Sequence, residues 1–140
     1  MFTGWMQFYF NNFSLNMMGY IIEKQSKLKF FVIYFCGILG GNMLSCCLSD
    51  PSLLTVGTNC GTIALLPIEI CRYIKLRKTN PIQAASRLKF LIFNIASNFI
   101  LNILAFFHLE PVDWISHIGS MIIGILFLAY YEMKKKQRII

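Results

Sequence analysis

All 13 Lys and Arg residues of this 140-residue chain fall in three clusters, and the clusters sit at alternate ends of five long apolar segments. The clusters are Lys24, Lys27 and Lys29; Arg72, Lys75, Arg77, Lys78, Arg87 and Lys89; and Lys134, Lys135, Lys136 and Arg138. The segments run Gly4 to Ile22, Phe30 to Leu48, Val56 to Tyr73, Leu88 to Phe107 and Val112 to Tyr131. Each has about 18 to 20 residues, which at ~1.5 Å rise covers the roughly 30 Å hydrocarbon core of a bilayer. Unpaired backbone groups cannot be left in lipid, and no period-2 alternation suggests a barrel, so the segments must be helices. A composition that is 56% hydrophobic and 15% aromatic excludes an ordinary soluble domain. The expected fold is all-α: a polytopic transmembrane bundle of about five helices, forming one domain over residues 1–140.

Charge also sets the expected orientation. The positive-inside rule puts the three basic stretches in the cytoplasm, with Met1 and the loops holding Asp50 and Glu110 to Asp113 outside. Trp5 and Trp114 then fall at outer ends and Tyr73, Tyr130 and Tyr131 at inner ends, as aromatic belts should. The net charge of +7 is accounted for by topology and attraction to anionic lipid. It is not a nucleic-acid footprint, because no basic stripe lies on a foldable soluble surface. The first segment lacks a basic n-region and contains Gln7, Asn11 and Asn12, so no cleavable signal is expected. The stretch from Lys75 to Ala85, with Pro81 in it, reads as a cytoplasmic loop with room for a short interfacial helix. Cys36, Cys46, Cys47, Cys60 and Cys71 form no CxxC and read as buried small apolar residues. His108, Glu110, Asp113 and His117 match no established ligand spacing, and neither metal nor cofactor is expected.

A thin polar layer crosses this apolar frame. Asn59 lies three residues into the third segment, His117 five into the fifth, and Gln7 and Asn11 three and seven into the first, depths of roughly 5 to 10 Å. Polar residues at such depth are expensive and mark either a functional cavity or interhelical hydrogen bonds. Gly57 and Gly61 flank Asn59, and Gly119, Ser120 and Gly124 follow His117. Small residues of this kind let helices approach closely, which would bring Asn59 and His117 within reach.

Four stretches carry a family resemblance. Gly4-Trp5-Met6-Gln7-Phe8-Tyr9-Phe10-Asn11, continuing through Ser14 and Leu15 to Gly19 and Glu23, resembles a pattern written GWxHxxxN with a later G and E. Tyr34 with Gly37-Ile38-Leu39-Gly40-Gly41-Asn42-Met43-Leu44-Ser45 is similar to the helix that follows it. Val56-Gly57-Thr58-Asn59-Cys60-Gly61 sits where VGASGA would stand. Val112 to Ser120 with Gly124 resembles the helix bearing HxGGxxxG. In this order and orientation they resemble the rhomboid intramembrane serine proteases, with the five segments corresponding to that family's second to sixth helices. The family's first helix and the loop after it have no counterpart, as expected for either a truncated product or a reduced member.

The resemblance implies a mechanism and marks where this chain departs from it. In the family a GxSG serine attacks the scissile carbonyl, the sixth-helix histidine takes its proton, and second-helix Asn and His side chains hold the oxyanion. His117 then corresponds to the general base and Asn11 to the oxyanion Asn. Gln7 replaces the family's histidine and can still donate a hydrogen bond. Asn59 replaces the serine, and a carboxamide is not a nucleophile that His117 can activate; it could instead hydrogen-bond His117. Cys60 is chemically competent as an alternative nucleophile, but Val56-Gly57 anchors the register, and one residue turns a helical side chain by roughly 100°.

Other polar residues have simpler readings. Asn94, Asn98 and Asn102 share one face of the fourth segment with Ser97 nearby, which suggests interhelical hydrogen bonds. The resemblance adds that this segment corresponds to the family's gating helix, where the stripe would line a lateral path for substrate. Pro67 should bend the third segment, and Glu69 should pair with Arg72 or snorkel. The expected function is that of a rhomboid-like pseudoprotease whose partners are the bilayer and transmembrane client proteins; the alternatives are an active endopeptidase using Cys60 and a small membrane protein of unrelated role.

Overall fold

A computed structural model of the chain describes residues 2–23, 26–49, 59–107 and 113–137. These form five helices: α1 (Phe2–Glu23), α2 (Lys27–Leu48), α3 (Asn59–Thr79), α4 (Pro81–Phe107) and α5 (Trp114–Gln137). No strand occurs among the described residues. Each expected segment is a helix over its described residues, and the all-helical bundle stands as expected. Among the described residues two helices, α2 and α5, are long and apolar enough on their own to cross a membrane, with mean hydropathies of 1.8 and 1.5. The others dilute their apolar surface with polar groups that the bundle takes inside: Ser14, Thr62, Glu69, Asn94 and Ser97 are all buried.

Helix ends follow local chemistry. Ser26 caps α2 by accepting from the Lys29 N–H at 3.4 Å. Asp113 caps α5, its Oδ1 accepting from the Ser116 N–H at 3.0 Å. The expected loop from Lys75 to Ala85 is instead nearly all helix, a correction with a clear local cause. Asn80 alone separates α3 from α4. Its N–H closes α3 onto the Leu76 carbonyl at 2.7 Å, and its Oδ1 accepts from the Gln83 N–H at 3.2 Å. Pro81 follows at the first helical position, where a missing N–H costs nothing.

The middle of the bundle is α3, with α5, α2, α1 and α4 arranged around it in that order. Its residues from Cys60 to Leu66 are buried without interruption. The last three of them, Ala64, Leu65 and Leu66, form the apolar core with Met18, Phe30 and Ile33. The tightest packing joins α2, α3 and α5 through small residues. A Cβ on Gly37 would collide with that of Ala64, and one on Gly61 with the Tyr34 ring. On Gly124 it would run into the Ala64 carbonyl, backbone that cannot give way. On Gly41 it would meet the Ser120 hydroxyl and the Ser116 carbonyl. Gly119 packs against Leu44 and the Gly41 backbone. Large apolar side chains such as Phe35, Leu39, Met43 and Ile122 face outward. That inversion, small inside and large outside, is how helices associate when lipid supplies no hydrophobic drive between them.

At the basic end, charges tie the helices together. Glu69 is buried and bridges Arg72 and Arg87, each at 3.3 Å. The expected pairing with Arg72 is present, and Arg87 adds a tie from α3 to α4 that the sequence reading missed. Lys75 on α3 pairs with Glu132 on α5. The hydrogen bond to Glu132 holds the Lys75 ammonium above the usual lysine range.

Candidate functional site

The first turn of α3 is folded on itself by Thr62. Its hydroxyl donates to the Asn59 carbonyl at 2.7 Å and shares a 3.0 Å contact with the Asn59 Oδ1. Among the described residues the carboxamide oxygen of Asn59 is thus held by its own helix, and no hydrogen bond joins Asn59 to His117. Asn59 stands one turn before Ile63 on the same face of α3.

That face looks onto an apolar groove of about 780 Å³ between α3, α4 and α5, lined by Ile63, Pro67, Ile70, Phe99 and Ile122 among others. His117 is part of its wall, half-buried, with the Trp114 ring set edge-on at 6.1 Å. Asn98 contributes from α4. The groove exists because α4 and α5 both flank α3 with little packing on each other among the described residues.

Cys60 occupies the other side of α3. It is fully buried, with Sγ 3.9 Å from the Asn42 Oδ1 and close behind Gly41, in the seam with α2 and not in the groove. The remaining cysteines correct the sequence reading: Cys36 and Cys71 are half-buried, while Cys46 and Cys47 are exposed on the outward face of α2. All five are free thiols.

Asn11 is half-buried on α1. Asn11 is not among the residues that line the groove with His117. Gln7 lies one turn earlier on α1, with its side chain outside the described residues; Gly57, His108 and Glu110 also lie outside them. The asparagine stripe of α4 differs from the interhelical pattern expected of it. Asn98 Nδ2 donates to the Asn94 carbonyl at 2.9 Å and to its Oδ1 at 3.1 Å, and the Ser97 hydroxyl donates to the Asn94 carbonyl at 3.0 Å. These bonds stay within α4, which short polar side chains can do by bonding back one turn. The side chain of Asn102 is outside the described residues.

What the sequence reading overlooked is the polar lacing beside His117. Ser120 donates to the Gly37 carbonyl of α2 at 3.0 Å and to the Ser116 carbonyl at 2.7 Å. Ser45 donates to the carboxylate of Asp113, which thereby joins the ends of α2 and α5. The signal was available as small residues four apart: 37, 41 and 45 on one helix, 116, 120 and 124 on the other.

Comparison with known proteins gives this geometry a context. A family model described as a rhomboid domain matches residues 1–134. A Caenorhabditis elegans protein named inactive rhomboid-related protein 2 is 30% identical over 112 residues, which cover 78% of this chain and 32% of that protein. The chain thus spans about a third of the length of that curated relative. No solved structure matches it. Four motif-bearing stretches in order, an inside-out helical bundle around a glycine-lined central helix and a family match over nearly the whole length agree: the chain is a membrane protein of the rhomboid family.

Proposed function

We propose that this chain is a rhomboid-like pseudoprotease that holds transmembrane client proteins without cleaving them. The observation that carries the reading is Asn59. It stands where the family's catalytic serine would, and its carboxamide offers no hydroxyl or thiol for an imidazole to activate. Its oxygen is already engaged by Thr62. The seam position of Cys60, with its thiol toward Asn42, argues against a nucleophile displaced by one residue. The word "inactive" in the name of the C. elegans relative supports the same reading.

On this reading His117 keeps the general-base position, Asn11 and Gln7 keep the oxyanion positions, and Asn59 fills the nucleophile position without its chemistry. Gly57, Gly61, Gly119, Ser120 and Gly124 keep the helix-packing role. The chain crosses the bilayer five times, with its three basic clusters in the cytoplasm and the first residues of α1 outside, an orientation supported by the alternation of those clusters along the sequence.

The test is cleavage of a generic transmembrane substrate in liposomes by the chain itself, by Asn59→Ser and by Cys60→Ala. The native chain is expected to leave the substrate intact. Cleavage by the native chain that disappears in Cys60→Ala would overturn the reading and make the protein a cysteine endopeptidase. Activity gained only by Asn59→Ser would show that the nucleophile alone is missing.

A further inference from the structure

We propose that the groove between α3, α4 and α5 seats one transmembrane helix of a client, and that it favours helices presenting a hydrogen-bond donor side chain to Asn98. The inference rests on the client-holding reading above and adds to it a place and a rule of selection.

Shape comes first. Among the described residues the helices around α3 pack firmly on one another except between α4 and α5. The opening follows α5 from Trp114 to Leu128, roughly 21 Å at helical rise. The groove has a volume of about 780 Å³. A groove of that length can lie along a membrane-spanning helix for about four turns.

Acyl chains could fill the same volume, but the walls are not purely apolar. Asn98 spends its Nδ2 on the carbonyl and Oδ1 of Asn94. This fixes the sense of the amide, because the reverse setting would oppose oxygen to oxygen. The Asn98 Oδ1 is left buried with no partner among the described residues. On the groove floor, Pro67 has no N–H to give the Ile63 carbonyl one turn before it. His117 brings a third polar group. Unpaired polar groups at bilayer depth are costly, and a hydrocarbon chain can pair none of them. A helix bearing Ser, Thr, Asn or Gln at this level can donate to Asn98 Oδ1 after a small turn of the carboxamide.

The test uses the full chain in liposomes and a single-pass polyleucine helix, with or without one glutamine at mid-depth, followed by energy transfer between labels. The glutamine helix is expected to bind about threefold more tightly, the size of a typical interhelical hydrogen bond in lipid. Asn98→Leu should erase that preference while leaving polyleucine binding in place. Ile122→Trp, at a half-exposed groove position away from the seam, should weaken both helices. Equal binding of the two helices, a preference that survives Asn98→Leu, or indifference to Ile122→Trp overturns the proposal. So does a benzophenone at position 122 that captures only lipid or a second copy of the chain. A second benzophenone at position 93, where Phe93 meets Phe10 and Phe13 of α1, separates the two ideas. Capture of the helix at 93 and not at 122 overturns the groove and leaves client holding intact, whereas capture at neither position overturns both.

Discussion

On the side of α5 that meets α2 and α3, Ser116, Ser120 and Gly124 recur every four residues and lie against Gly37, Gly41 and Ala64. On the side that borders the groove, Ile118, Met121, Ile122 and Ile125 project from the same helix with no close packing from α4. One side is a seam of touching backbones sewn by hydroxyl bonds, and the other is an apolar trough. The difference shows how one helix can be both a structural member and a surface for exchange. Without a hydrophobic drive in lipid, large side chains hold nothing together by themselves, and the small ones do the fastening.

The comparison is most directly broken by filling the seam. Gly124→Leu forces a side chain into the Ala64 carbonyl and should cost about 3 kcal/mol, at the upper end for overpacking. Equilibrium unfolding in detergent micelles would read this, and a loss below about 1 kcal/mol would mean that α3 and α5 are not truly in contact. A milder cut, Ser120→Ala, removes the bonds to the Gly37 and Ser116 carbonyls and should cost about 0.6 kcal/mol, the mean for such bonds in a membrane. The smallest effect belongs to the trough. Ile122→Ala should change stability by under about 0.5 kcal/mol, as for a surface site; a cost equal to that of Gly124→Leu would erase the distinction between the two faces.

Much of the fold was readable because each segment is bounded by charge and each helix needs to satisfy its own backbone. The polar layer was readable as positions on helices, since Asn11, Asn59 and His117 stand out against apolar neighbours. Their hydrogen bonds were not. Thr62 reaching back to Asn59, and Asn98 reaching back to Asn94, are choices between a partner one turn away and a partner on another helix, and spacing alone is compatible with both. The helical run through Lys75 to Ala85 was hidden by its charges, which suggested a loop, although Asn80 followed by Pro81 spells one helix ending and the next beginning. The groove was illegible for a different reason: it depends on which two helices fail to meet, and no local pattern encodes that.

The single residue between α3 and α4 gives α4 a fulcrum. Its base is pinned at Asn80 and again where Arg87 grips Glu69, while its 27 residues make an arm of about 40 Å. A tilt of only about 5° would carry the far tip roughly 3.5 Å on such an arm, while the basic end scarcely moved. Any tilt of α4 on this base would change the trough beside α5 least at the basic end and most at the opposite one.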